Sequence, residues 1–151
     1  MPQSLAQVWI HLVFSTKERR PFLKLESLRT EMFKMLAHQV KDQGCISASV
    51  SGHIDHVHLL IGLSRTITIA KLVEEIKKES SKWTKSHPQG VQSFQWQAGY
   101  GVFSVSHSML SKVDEYIRTQ DSRHANRTFQ DEFRLMCGKH GIAIDERYVW
   151  D

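Results

Sequence analysis

The sequence predicts an α+β fold: a ferredoxin-like β-α-β-β-α-β unit with one antiparallel sheet, extended by additional C-terminal helices. Three observations carry this. Two stretches repeat apolar residues at helical intervals, four short stretches are rich in β-branched and aromatic residues, and the two kinds alternate in that order. At 151 residues the chain fits a single domain, 1–151, that can bury a core without disulfides or a structural metal.

The first strand is QVWIHLVFST, Gln7 to Thr16, closed by the charged, proline-containing turn KERRPF. From Ser27 to Gln43 the residues Leu28, Met32, Met35, Leu36 and Val40 recur at helical spacing, and Gly44 stands where a helix would stop. CISASVSG alternates into a second strand, and HVHLLIGL forms a third that pairs with it as a hairpin. Thr68 can cap a helix in which Ile69, Leu72, Val73 and Ile76 make one apolar stripe, running to about Lys85. SHPQGVQSFQWQAGYG is a long polar loop leading to the strand VFSVS. Two more helical stretches, around Met109 to Ser122 and Thr128 to His140, precede the tail GIAIDERYVWD. They must pack on this sheet or on another subunit.

A formal charge of +4 and a pI near 9.2 favour an acidic partner without naming one. No apolar run approaches the ~18 residues of a membrane span, so no membrane role is expected. Cys45 and Cys137 are far apart and no secretory leader pattern is seen, which predicts a cytoplasmic protein with reduced thiols.

The third strand carries the chemistry. Residues i and i+2 of a strand share a face, so His56 and His58 project together while Val57, Leu59 and Ile61 point the other way. Two imidazoles on a rigid strand form half of a coordination sphere. Taken alone, the pair reads first as hydrogen-bonded histidines at a strand start. The penultimate helix adds Tyr116 and Gln120, four residues apart and therefore on one helical face. A tyrosine hydroxyl becomes a nucleophile when a positive field helps it ionise, and a divalent metal supplies that field while polarising a phosphate. Gln120 offers a third ligand oxygen, and this mixed N/O set with open positions suits Mg²⁺ or Mn²⁺.

A histidine, hydrophobic, histidine strand followed by a Tyr-x-x-x-Gln helix resembles the HUH single-tyrosine transposases of small bacterial insertion sequences. The likeness extends through HLVFSTKERR, SGHIDHVHLLIGL, IKKESSKW, GYGVFSVS and HGIAIDERYVWD, effectively the whole chain. The resemblance implies a homodimer that binds single-stranded DNA hairpins and cuts and rejoins strands through a 5′-phosphotyrosine intermediate. It assigns Tyr116 as nucleophile and His56, His58 and Gln120 as metal ligands, with the tyrosine helix of one subunit able to complete the site of the other.

Three basic groups are candidates for DNA contact. Lys77, Lys78, Lys82 and Lys85 lie on the second helix with Trp83, where lysines can hold phosphates and the indole can stack on a base. Lys17, Arg19 and Arg20 follow the first strand, and Arg118, Arg123 and Arg127 surround the end of the tyrosine helix. His11, His53 and Asp55 read as core or turn residues, and Phe94, Trp96 and Tyr100 as anchors of the long loop. Two other functions remain open: a domesticated endonuclease that processes chromosomal hairpin repeats, and a non-catalytic DNA-binding regulatory domain.

Overall fold

The structure is a computed structural model that describes residues 2–124 and 126–151. Four strands, β1 (Trp9–Ser15), β2 (Ile46–Gly52), β3 (His56–Gly62) and β4 (Gly101–Val105), form one sheet in the order β2-β3-β1-β4, with every pairing antiparallel. Helix α1 (Glu26–Asp42) joins β1 to β2, and α2 (Ile69–Ser86) joins β3 to β4. This is the predicted ferredoxin-like order, with boundaries displaced by one or two residues.

Alternation along the strands sorts the core into two layers. Ile10, Leu12 and Phe14 of β1 and Val57, Leu59 and Ile61 of β3 pack with Met32, Leu36, Val40, Leu72, Val73 and Ile76 of α1 and α2. The other sheet face packs Val13 and Phe103 against Phe129, Phe133, Met136 and Cys137. With both faces covered, β3 is buried along its whole length. The hairpin between β2 and β3 closes tightly: a Cβ on Gly52 would sit 2.1 Å from the His56 carbonyl oxygen, so no larger residue fits there.

The C-terminal helices lie on the second face. The stretch predicted as one helix over Met109 to Ser122 is two, α3 (Leu110–Arg118) and α4 (Gln120–Arg123), because Thr119 leaves helical geometry at φ −102°, ψ 23°. Helix α5 (Phe129–Lys139) begins at Thr128, whose hydroxyl accepts the Asp131 amide hydrogen bond at 3.1 Å. That cap sets Phe129, Glu132, Phe133, Met136 and Cys137 on one buried face. Both cysteines are free and buried. Among the described residues no helix is long and apolar enough to cross a membrane.

Candidate metal centre and nucleophile

His56 and His58 leave β3 on the face away from α1 and α2, where α3, α4 and α5 close over them. His56, His58, Gln120 and Glu132 are each at most 1% exposed. Polar groups buried this completely must find partners, and they find one another. His58 Nε2 lies 3.0 Å from Glu132 Oε1, and His56 Nε2 lies 3.6 Å from the same oxygen. Gln120 Oε1 lies 3.1 Å from His56 Nε2, while Gln120 Nε2 donates to the Tyr116 carbonyl at 3.3 Å. The Tyr116 hydroxyl donates to the second Glu132 oxygen, Oε2. The break at Thr119 does not separate the pair that the sequence places on one face: Gln120 is brought to the histidines and Tyr116 to Glu132.

Glu132 was not among the predicted ligands, yet His56, His58 and Glu132 hold donor atoms all within 4.8 Å of one another. His124, also unanticipated, places Nε2 3.2 Å from Glu132 Oε1 and 3.0 Å from Gln120 Oε1. Both had faint signals. Glu132 interrupts an apolar stripe at the i+3 position from Phe129, and His124 stands one helical turn after Gln120.

The outer partners of the two strand histidines are equally defined. His56 Nδ1 donates to the Asp55 carboxylate at 2.8 Å, and His58 Nδ1 faces His11 Nε2 at 2.8 Å. Asp55 and His11 were expected as turn and core residues; the structure places both directly behind the candidate ligands. With Nδ1 turned to Asp55, His56 points its Nε2 at the Gln120 oxygen. Two imidazole nitrogens and a carboxylate oxygen, all within 4.8 Å of one another, are a donor set that could hold a divalent metal ion.

Electrostatics follow from burial and from Glu132. Burial lowers the His58 imidazole to about 4, against the pull of the carboxylate. Burial opposes the charge on Glu132, but hydrogen bonds from His124 and His58 hold its carboxyl well below the usual range. Burial and the bond to Glu132 push the Tyr116 phenol well above its ordinary value, while the Arg123 guanidinium, 4.3 Å from the ring centroid, pulls the other way. The phenol is therefore held protonated, its hydrogen on Glu132.

The family model for IS200-like transposases matches residues 4–120. The chain belongs to the IS200-like transposase family. Tyr116 and Gln120 close the matched segment, and Glu132 lies beyond it. In fold, this transposase-family chain is similar to a candidate transposase from Deinococcus radiodurans R1, with 22% identity and a TM-score of 0.62 over 80% of this chain and 95% of that one. It is also similar to a REP-associated tyrosine transposase solved bound to a REP hairpin, with 15% identity and a TM-score of 0.58 over 82% of this chain and 73% of that one. The comparison with curated proteins gives no match.

The predicted DNA-contact residues divide by sheet face. Helix α2 packs on the face opposite the histidines, which carries its basic residues away from the centre. Lys77 is spent internally, donating to the carbonyls of Gln97 at 2.8 Å and Gly99 at 2.7 Å. Lys78 and Lys82 pair with Glu75 and Glu79, and Trp83 packs against the core beside His87. Lys85 is half-buried at the end of that helix. On the other side, Arg123 lies over Tyr116, Arg118 pairs with Asp114, and exposed Arg127 offers its carbonyl to His124 Nδ1. Arg20 pairs with Glu18, Arg19 donates to the Trp150 carbonyl, and Lys17 is exposed beside them. Phe94 and Trp96 anchor the loop in the core, as expected.

Proposed function

We propose that this chain cleaves and rejoins single-stranded DNA at hairpin ends by metal-assisted transesterification, with Tyr116 as nucleophile and a 5′-phosphotyrosine intermediate. The observation that carries the reading is the Glu132 carboxylate, which engages His58 and His124 through one oxygen and the Tyr116 hydroxyl through the other. Nucleophile and ligands come from β3, α3, α4 and α5 and still converge on one group.

His56, His58 and Glu132, with Gln120 beside them, would hold a divalent ion, Mg²⁺ or Mn²⁺; two imidazoles favour Mn²⁺, since Mg²⁺ prefers an all-oxygen shell. When bound, the ion supplies positive charge that polarises the scissile phosphate and eases formation of a phenolate. Asp55 and His11 orient the ligand rings. Glu132 Oε2 is the acceptor already on the Tyr116 proton. As the tyrosine oxygen forms its bond to phosphorus and gives its proton to Glu132 Oε2, the bond to the 3′ oxygen of the leaving strand breaks, and that oxygen takes a proton from solvent water and departs as a 3′-OH. A later 3′-OH attacks the phosphotyrosine and returns Tyr116, so one phosphodiester is exchanged for another without external energy.

Family membership and the REP hairpin held by the fold relative support hairpin DNA as substrate. The Tyr116–Glu132 bond closes the site within one chain, so a homodimer, which the resemblance implies, is not needed for that contact. The test is to incubate the protein with labelled single-stranded hairpins and Mn²⁺ and resolve the products on denaturing gels. A covalent adduct that disappears in Tyr116→Phe and with chelator is expected; an adduct that persists in Tyr116→Phe refutes the assignment. Retained hairpin binding with no adduct under any divalent ion would favour the regulatory-domain reading.

A further inference from the structure

We propose that Arg123 is a catalytic residue of this site: its guanidinium, lying over the Tyr116 ring, clamps the phosphate as it passes to the tyrosine and holds the phosphodiester that results. This rests on the proposed DNA chemistry and adds to it a protein cation on the transferred group.

Sequence and local structure bring the two together. Arg123 stands seven residues after Tyr116, about two helical turns on. Its Nε donates to Thr119 Oγ1 at 3.1 Å, and that hydroxyl donates to the Glu115 carbonyl at 3.0 Å. The residue that ends α3 thereby anchors the arginine. The guanidinium carbon lies 4.3 Å from the Tyr116 ring centroid, on an exposed side chain. The buried imidazoles of His11 and His58 stand edge-on to the same ring, at 6.1 and 5.8 Å between centroids. The ring of the nucleophile thus joins the buried centre to a cation that is open to solvent.

A guanidinium over an aromatic ring is commonly a packing contact. Charge balance sets this one apart. Among the described residues three other arginines cap rings in the same way, Arg19 and Arg134 on Trp150 and Arg147 on Tyr148. Each of them also has an oxygen that takes its charge: the Trp150 carbonyl for Arg19, Asp131 and Glu146 for Arg134, and Asp145 for Arg147. Asp121, the acid of the arginine's own helix, is engaged elsewhere, 2.9 Å from His53 and 4.0 Å from Arg29. Among the described residues Arg123 forms no ion pair, and neither Nη group has a protein acceptor.

Two parallel N–H groups match two phosphate oxygens. A phosphate bonded to the Tyr116 oxygen lies just beyond the ring edge, within the sweep of a side chain held over that ring. As the bond from tyrosine oxygen to phosphorus forms and the bond to the 3′ oxygen breaks, negative charge builds on the non-bridging oxygens, and a cation placed there lowers the barrier. The tyrosine proton goes to Glu132, and the arginine keeps its own protons throughout. In the intermediate the same contact pairs with the charge that remains on the phosphodiester and keeps it placed for attack by a 3′-OH.

The test follows Tyr116 adduct formation by the full chain in a single turnover, at saturating hairpin and Mn²⁺, with hairpin affinity measured beside it. Arg123→Ala should slow adduct formation about 100-fold. Affinity should fall by no more than about three-fold, since other phosphate contacts remain. Arg123→Lys keeps the charge without the paired N–H groups and should fall between Arg123→Ala and wild type. Added ethylguanidinium should restore part of the rate to Arg123→Ala and leave wild type unchanged, which a packing role alone would not allow. A rate in Arg123→Ala within about three-fold of wild type, or a loss that ethylguanidinium does not restore, would overturn the assignment. If wild type forms the adduct and Arg123→Ala forms it as fast, the arginine alone is wrong. If wild type forms no adduct on any hairpin, the cleavage chemistry has failed and the clamp falls with it.

Discussion

Glu132 sits where two requirements meet, since one oxygen faces the imidazoles and the other holds the Tyr116 hydroxyl. Glu132→Gln should therefore lower Mn²⁺ affinity by more than about ten-fold, read by electron paramagnetic resonance of free Mn²⁺; unchanged affinity would remove it from the ligand set. Without metal, Glu132→Ala leaves buried imidazoles unpaired and should cost about 3 kcal/mol in urea unfolding. The acid limit follows from His58. Burial lowers this ring from 6.5 to about 4, so above pH 6.5 it is neutral in both states. Between those values the unfolded chain takes up a proton that the folded chain refuses, and stability falls as pH falls, by on the order of 3 kcal/mol. The Glu132 carboxyl, held below its ordinary range, adds a loss at still lower pH. Urea titrations in chelator between about pH 7 and pH 5 should show this slope, and His58→Asn should reduce it without abolishing it, because buried His11 is lowered in the same direction. His56, His58, Tyr116 and Gln120 were legible because motif and spacing set them apart. Glu132 was not, since in the run Gln130-Asp131-Glu132 its charge resembles a solvated face, and only its place in the α5 stripe marks it.

Elements decide whether those side chains meet. The alternation of β1 and β3 and the stripes of α1 and α2 were readable because each follows its period, 2 or 3.6, with Thr68 and Gly44 marking ends. The packing of α3 to α5 was not, because nothing local to those helices says which sheet face receives them. The same limit hid the fate of the α2 lysines, which only the layer order reveals to be remote from the histidines. Helix α5 is the element to test. Thr128→Ala removes its N-cap and should cost about 1 kcal/mol, with a larger proportional loss of adduct formation, because the register of Glu132 depends on that start. Gly52→Ala should be more damaging, about 3 kcal/mol in urea unfolding, since its Cβ meets a backbone carbonyl that cannot yield.

At the scale of the whole molecule, one chain wraps both faces of a four-stranded sheet: a largely apolar layer under α1 and α2, and a second layer in which polar groups from four elements interlock. The closed contact between Tyr116 and Glu132 predicts that the tyrosine acts in its own subunit. Mixing inactive Tyr116→Phe with inactive His58→Ala protein should then restore no adduct on hairpin DNA, whereas recovery of adduct would place the tyrosine in trans. The most direct measurement is mass spectrometry of peptides from protein incubated with a hairpin substrate and Mn²⁺. The account predicts a nucleotide joined through a 5′-phosphate to Tyr116. A nucleotide on any other residue, or DNA bound with no modified tyrosine, would contradict it.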